Sequence, residues 1–208
     1  LILRRQRQMC IRDSFLDRDG TINEEMGYIN HLDRFVLLPR VAEAIRLLND
    51  LGLKVIVVTN QAGLAKGYFD EELLAQVHHK MERLLAERGA HLDGIYYCPH
   101  HPEAVREEYR KNCECRKPNT GLIRRAAREH GIDPRRSYMV GDKIEDVEFG
   151  KRAGAKGIMV LTGYGRGQWE HQRHTWSIQP DYSDVMPELN LGWIIQFVES
   201  NQECLDTV

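Results

Sequence analysis

The chain reads as an α/β protein with a central, mostly parallel sheet and helices on both faces, in three layers. Short β-branched runs alternate with longer stretches of helical period, the signature of βαβ units. The run Lys54-Val55-Ile56-Val57-Val58-Thr59 is apolar at successive positions, as a strand covered on both faces must be. Polar residues follow directly on three apolar runs: Asp17 and Asp19 after Phe15-Leu16, Thr59 and Asn60 after Val58, and Asp142 after Ser137–Gly141. In an open parallel sheet the ligand site lies beyond the carboxyl ends of the strands. Three strands therefore deliver polar ends to one rim.

Taken in order, the first element is the least regular. Arg12, Asp13 and Ser14 interrupt Met9-Cys10-Ile11 where a buried strand is needed. Residues 1–13 are expected to be a non-native or disordered leader with a native strand partly missing, the alternative being an edge-exposed first strand. Residues 24–38 lack a helical period and contain Gly27, which predicts a loop with a hairpin over Asp17. Pro39 is placed to open a helix striped by Val41, Ile45, Leu48 and Leu51, with Gly52 as its stop. After the strand at 54–59, a loop with Gly63 and Gly67 leads to a helix from Asp70, striped by Leu73, Leu74, Val77, Met81, Leu84 and Leu85, and ended by Gly89. Gly94–Cys98 is a third strand and 98–118 an irregular insertion. Thr120–His130 is a helix stopped by Gly131, and 137–141 a fourth strand. A short helix over 144–153 and a fifth strand over 156–161 follow. Residues 163–180 carry no readable period, and Asp184–Val198 suggests a closing helix.

With 208 residues, 42% hydrophobic and 29% charged, the chain is long enough for one domain with a full core, placed at 14–200. A formal charge of −2 leaves no basic footprint for nucleic acid, and no apolar run approaches a membrane span. Neither partner is expected, and a monomer is. Arg4, Arg5 and Arg7 are not followed by the apolar core of a signal peptide. Of the five cysteines, three fall within eighteen residues, a clustering that suits a metal site in a reducing compartment such as the cytoplasm.

Each polar group at the rim has a chemical and a structural reading. Asp17 and Asp19, two apart before a Gly-Thr turn, can divide labour between attack and proton transfer, or can form an Asx-type turn. Two close anions need a cation to stay ionised. Thr59 can end a strand or hold phosphate oxygens. Lys117, ahead of a helix, can be a solvated lysine or can offset a phosphoryl group, worth roughly 4 kcal/mol at about 4 Å and an effective dielectric near 20. Asp142 and Asp146 can be helix N-terminal acids; Asp142 beside Asp17 would instead make a hard oxygen site for Mg²⁺.

Cys98, His100, Cys113 and Cys115 supply three thiolates and an imidazole, enough for a closed tetrahedral Zn²⁺, with His101 competing for the fourth place. Buried free cysteines or a Cys98 disulfide are the alternatives. The twelve polar residues between the pairs cannot build a core of their own, which favours zinc. A fully ligated ion would brace the loop carrying Arg116 and Lys117.

Asp17-Arg18-Asp19-Gly20-Thr21, Thr59-Asn60, Lys117 and Gly141-Asp142 resemble, in order, the four motifs of the haloacid dehalogenase superfamily of phosphohydrolases. The resemblance implies that Asp17 forms an aspartyl-phosphate and that Asp19 protonates the leaving oxygen and then activates water. Thr59 and Lys117 would neutralise the phosphoryl group. Mg²⁺ would be held by Asp17, Asp142 and the main-chain carbonyl of Asp19. Gly94–Pro102 and Cys113-Glu114-Cys115-Arg116-Lys117-Pro118, with Tyr138–Lys143 and Glu25–Tyr28, look like the D-glycero-D-manno-heptose 1,7-bisphosphate 7-phosphatase family, which is similar to the histidinol-phosphate phosphatases. That likeness implies substrate contacts from Glu25, Met26, Gly27, Tyr28, Thr59, Asn60, Gln61, Ala62, Arg116 and Lys117. It also implies Lys143 near the metal, no large cap domain and a zinc loop at 98–118. The substrate would be a small sugar bisphosphate in nucleotide-activated heptose (lipopolysaccharide core) biosynthesis. Histidinol phosphate is the alternative substrate, and a zinc-stabilised binding module without catalysis the alternative class.

Overall fold

The computed structural model describes residues 13–183, so the suggested helix at 184–198 lies outside the described residues, as do residues 1–12. Six parallel strands form one sheet in the order β3-β2-β1-β4-β5-β6. They are β1 (Asp13–Leu16), β2 (Lys54–Asn60), β3 (Gly94–Cys98), β4 (Ser137–Gly141), β5 (Lys156–Met159) and β6 (Tyr182–Ser183). The helices are α1 (Val41–Asp50), α2 (Glu71–Ala86), α3 (Gly121–His130), α4 (Ile144–Ala153) and α5 (Gly165–Gln172).

Alternation along the strands splits the core into two layers. Leu16, Val55, Val57 and Val140 pack with α1 and α2 through Ile45, Leu48, Val77 and Met81. Phe15, Ile56, Val58 and Met139 pack with α3 and α4 through Ile123, Ala126 and Phe149. This is why β2 reads as apolar throughout. Gly150 lets α4 lie flush on β4: a Cβ there would come within 2.5 Å of Met139 Cβ.

Several expectations change. The first strand is not at an edge: β1 is central, between β2 and β4, and only four residues long. Asp13 caps its start by accepting a hydrogen bond from the Lys54 amide at 3.0 Å. The helix expected from Pro39 begins at Val41, because Arg40 sits in the left-handed region at φ 63° and turns the chain into it. The 24–38 loop is closed at its base by hydrogen bonds of Glu24 with Val36 and Leu38 with Ile22, with a 3₁₀ turn at Leu32–Arg34 in place of a full hairpin. The unplaced 163–180 stretch supplies α5 and a 3₁₀ turn at Arg173–Thr175.

The strand order reverses between β1 and β4. That switch point opens a crevice at their carboxyl ends, and Asp17 and Asp142 follow those two strands.

Gly150→Ala sets helix propensity against packing. Alanine gains about 1 kcal/mol in a helix interior, but its methyl would press on a Cβ that moves only with the backbone, and overpacking costs about 1–3 kcal/mol. Urea denaturation should show the variant less stable than the parent by about 1 kcal/mol; an increase would contradict this packing.

Candidate active site

The crevice is a cleft of about 350 Å³. Its walls include Asp17, Asp19, Glu25, Gly27, Tyr28, Thr59, Asn60, Gln61, Ala62, Arg116, Lys117 and Lys143, all expected from the sequence. Met26 does not line it: its side chain packs against the α1-side core and its carbonyl accepts from Arg34.

Asp17 leaves β1 with its amide bonded to the Val140 carbonyl of β4 at 2.9 Å, which ties the two strand ends together. Its Oδ1 accepts from the Arg18 amide at 2.7 Å and its Oδ2 lies 3.0 Å from Lys117 Nζ. Lys117 also donates to Asp146 Oδ1 at 2.6 Å and to the Val58 carbonyl at 3.2 Å, so all three ammonium protons are placed. Burial would depress the lysine, but the Asp146 and Asp17 carboxylates outweigh it and hold its pKa above the usual value. Asn60 fixes the main chain of Lys117, accepting from its amide at 3.1 Å and donating to its carbonyl at 3.4 Å. Its polar atoms are thus committed to Lys117.

Asp142 follows β4 and is fully buried. Its Oδ2 accepts from the Tyr164 amide at 2.8 Å, while Oδ1 has no hydrogen-bond partner. Gly20, at φ 75°, permits this approach: a Cβ there would lie 2.2 Å from Asp142 Oδ2. Burial first, then Asp146 and Asp17, push the Asp142 carboxyl up to about 8. Asp17, Asp142 and Asp146 each place an oxygen within 4.8 Å of the others. A buried orphan oxygen among converging carboxylates, two of which, Asp142 and Asp146, burial makes harder to ionise, fits a hard divalent cation such as Mg²⁺.

Asp146 was legible only as a helix N-terminal acid. It does accept from the Lys143 amide through Oδ2, at 3.2 Å, but its other oxygen holds Lys117. Lys143 lies 3.4 Å from Glu25 and 4.6 Å from the Tyr164 ring centroid. Against the cost of burial, Asp142, Asp17, Glu25 and Asp146 raise its pKa.

Asp19 lines the same cleft. Arg18, 1% exposed, forks onto both its oxygens at 2.7 Å. Asn23 and Gln61 add bonds at 3.0 and 2.9 Å. Burial alone would raise its pKa, but the Arg18 charge and these donors bring it below the usual value. Gln61 also donates to Thr59 Oγ1 at 3.0 Å, which leaves the Thr59 proton free to donate to a ligand. Neither Arg18 nor His78, whose Nε2 lies 3.4 Å from Arg18 Nη1, was singled out in the sequence.

Cys98, Cys113 and Cys115 bring their sulfurs to 3.1–3.4 Å of one another, and His100 Nδ1 stands 3.3 and 3.7 Å from two of them. A tetrahedral ion with metal–sulfur bonds of about 2.3 Å sets its ligands roughly 3.6–3.8 Å apart, so this cage has nearly zinc dimensions with no disulfide. His101 is outside it, with Nδ1 accepting from the Glu103 amide at 3.1 Å. Arg116 donates to the His100 carbonyl at 3.2 Å, linking the cage to the cleft.

A parallel sheet with a switch point between β1 and β4, and an aspartate pair, threonine, lysine and acid at its rim, define a phosphatase of the haloacid dehalogenase type. The HAD-hydrolase-like family model matches residues 114–190. A D-glycero-beta-D-manno-heptose-1,7-bisphosphate 7-phosphatase of Photorhabdus laumondii is 49% identical over 151 residues, 72% of this chain and 80% of that protein. Its Escherichia coli K12 counterpart is 46% identical over 72% of this chain and 78% of its own length. The solved D,D-heptose 1,7-bisphosphate phosphatase of B. bronchiseptica, complexed with magnesium and phosphate, superposes with a TM-score of 0.78 at 31% identity, covering 89% of this chain and 99% of that one. The chain belongs to the D-glycero-beta-D-manno-heptose-1,7-bisphosphate 7-phosphatase family.

His78 gives the fold an acid-sensitive point. Burial, helped by the Arg18 charge and opposed by Asp19, lowers its pKa to about 3. The unfolded chain takes up this proton below about pH 6.5, so the stability it contributes is present above that pH and is lost as pH falls toward the folded value. Between pH 7 and pH 5 the loss is about 2 kcal/mol. Denaturation at both pH values should show a smaller drop for His78→Gln; an equal drop would refute the assignment.

Proposed function

We propose that this chain removes the 7-phosphate of D-glycero-D-manno-heptose 1,7-bisphosphate, with Asp17 as nucleophile, in the supply of nucleotide-activated heptose. The observation that carries the reading is the contact of Asp17 with Lys117, beside Asp142 and Asp146, at the switch point of the sheet. An incoming phosphoryl group would meet the positive charge of Lys117, whose protons stay on Asp17, Asp146 and Val58, and the free Thr59 proton. One Asp17 oxygen would attack phosphorus in line as the sugar oxygen leaves. Phosphoryl transfer asks mainly for such positioning and charge neutralisation.

Asp19 is the acid–base group of this reading. Arg18 holds it ionised in the free site, so it would first take up a proton as the phosphoryl group enters, pass that proton to the leaving oxygen, and then, as a carboxylate, take one from the water that opens the aspartyl-phosphate. Arg18, Asn23 and Gln61 orient it. Asp17, Asp142 and the Asp19 carbonyl would hold Mg²⁺, which supplies neutralisation of the phosphoryl oxygens. Cys98, His100, Cys113 and Cys115 would hold a structural Zn²⁺, and free thiolates of this kind suit the cytoplasm. The names of the relatives favour the heptose substrate over histidinol phosphate.

Asp17→Asn should lower phosphate release from heptose 1,7-bisphosphate by at least about a thousandfold with an unchanged circular dichroism spectrum. Parent-level turnover would remove Asp17 from its role. Cys113→Ser should reduce bound zinc, measured by atomic emission, from one equivalent to well below half and lower the Tm. A metal-free parent protein of equal Tm would remove zinc from the structure.

A further inference from the structure

Helix α2 buries five residues, and four of them, Leu74, Val77, Met81 and Leu85, are apolar. The fifth is His78, to which the reading above gives no part in the reaction. A buried imidazole costs stability unless its polar atoms find partners. Here the partner is Arg18: His78 Nε2 lies 3.4 Å from Arg18 Nη1, and both side chains are buried. The His78 ring rests against Tyr97 of β3, with centroids 5.8 Å apart, so a helix and a strand together fix its place.

A guanidinium has only donors and no acceptor. The contact is therefore a hydrogen bond only when Nε2 is bare, and the imidazole proton then sits on Nδ1. Burial and the Arg18 charge keep the ring in that neutral form, with its pKa lowered to about 3. The rest of Arg18 is committed to Asp19. Its Nε donates to Oδ1 at 3.2 Å, and Nη2 reaches Oδ1 and Oδ2 at 2.7 Å each. One edge of the planar group thus grips the carboxylate, and His78 holds the remaining nitrogen. With Asp19 as its only anchor, the long Arg18 side chain could swing together with the carboxylate. A second anchor on a rigid helix removes that freedom.

We infer that His78 is a positioning residue for the phosphatase reaction: by accepting from Arg18 it fixes the guanidinium and, through it, the Asp19 carboxylate against the leaving oxygen and the attacking water. The inference rests on the reading of Asp19 as the acid–base group. His78 is not among the cleft walls and acts only through Arg18.

The leaving group separates positioning from general damage. A sugar oxygen needs a proton to leave, whereas p-nitrophenolate leaves as a stable anion, and kcat/KM covers the steps up to the aspartyl-phosphate. Asp19→Asn should therefore lower kcat/KM for heptose 1,7-bisphosphate by about a hundredfold and affect p-nitrophenyl phosphate far less. Equal losses on the two esters would remove Asp19 from its acid role, and this inference with it. His78→Leu should repeat the pattern in smaller measure, about tenfold for the bisphosphate and within about twofold for the aryl ester. His78→Gln, whose carbonyl reaches the place of Nε2, should restore most of the loss. His78→Asn, one bond shorter, should behave like His78→Leu, and it carries the comparison should the leucine variant fail to fold. With the Asp19→Asn pattern intact, equal losses on the two esters in both the leucine and asparagine variants, or no loss in either, would overturn the role of His78 and leave that of Asp19 standing. Nitrogen NMR of the parent at neutral pH should show His78 uncharged with its proton on Nδ1; a proton on Nε2 would also overturn it.

Discussion

The site depends on holding three buried carboxylates in one place. Asp17, Asp142 and Asp146 lie within 4.8 Å of one another through their nearest oxygens. At that spacing and an effective dielectric near 20, each pair repels by about 3 kcal/mol. Lys117 neutralises one charge and Lys143 lies further out, over Tyr164. The remaining excess is about that of one divalent cation, and one buried Asp142 oxygen has no hydrogen-bond partner. Fold and chemistry are therefore linked through charge. The carboxylates meet because β1 and β4 are neighbours, and they tolerate meeting because a lysine reaches into them.

That lysine is held from three sides. Its main chain is gripped by Asn60 at the end of β2 and its ammonium by β2, β1 and α4 partners. Its approach is set by the thiol–imidazole cage two residues upstream. The cage gathers the end of β3 and the returning insertion, a stretch too polar to pack by itself. A brace at this point transmits order to Lys117 across only Cys115 and Arg116, so one cluster of ligands shapes both cleft-lining cations together.

Much of this was legible because buried parallel strands leave a plain trace. Val55–Val58 announce their two-sided cover, and the polar residues after Leu16, Val58 and Gly141 mark the rim. The cysteine cluster likewise fixed the zinc-like cage and its histidine. What escaped depends on groups that local sequence does not pair. Asp146 looks like any acid in a first helical turn, and only the reach of Lys117 from another element reveals its second use. Arg18 and His78 are sixty residues apart and form one buried contact. Met26 was misplaced because a motif fixes the path of a loop but not which side chain turns inward. α5 was invisible because Gly165, Gly167 and the polar residues around Trp169 leave no apolar stripe. The centrality of β1 was obscured by Asp13 and Ser14, yet one caps the strand against Lys54 and the other is small enough to bury.

A cleft without a cap domain among the described residues must discriminate by other means. Lys117, Thr59 and the carboxylates at the inner end answer to a phosphoryl group, which every phosphate monoester carries. On the reading proposed above they would supply rate and little selectivity. Choice among substrates would then come from the loops that line the cleft, those of Tyr28, Gln61 and Arg116. The Tyr28 loop is pinned by the Gly27 turn, and the Arg116 loop by the sulfur cage, which ties it to the end of β3 through Cys98. Selectivity can thus change by loop replacement while the strand ends, and the reaction they hold, stay as they are.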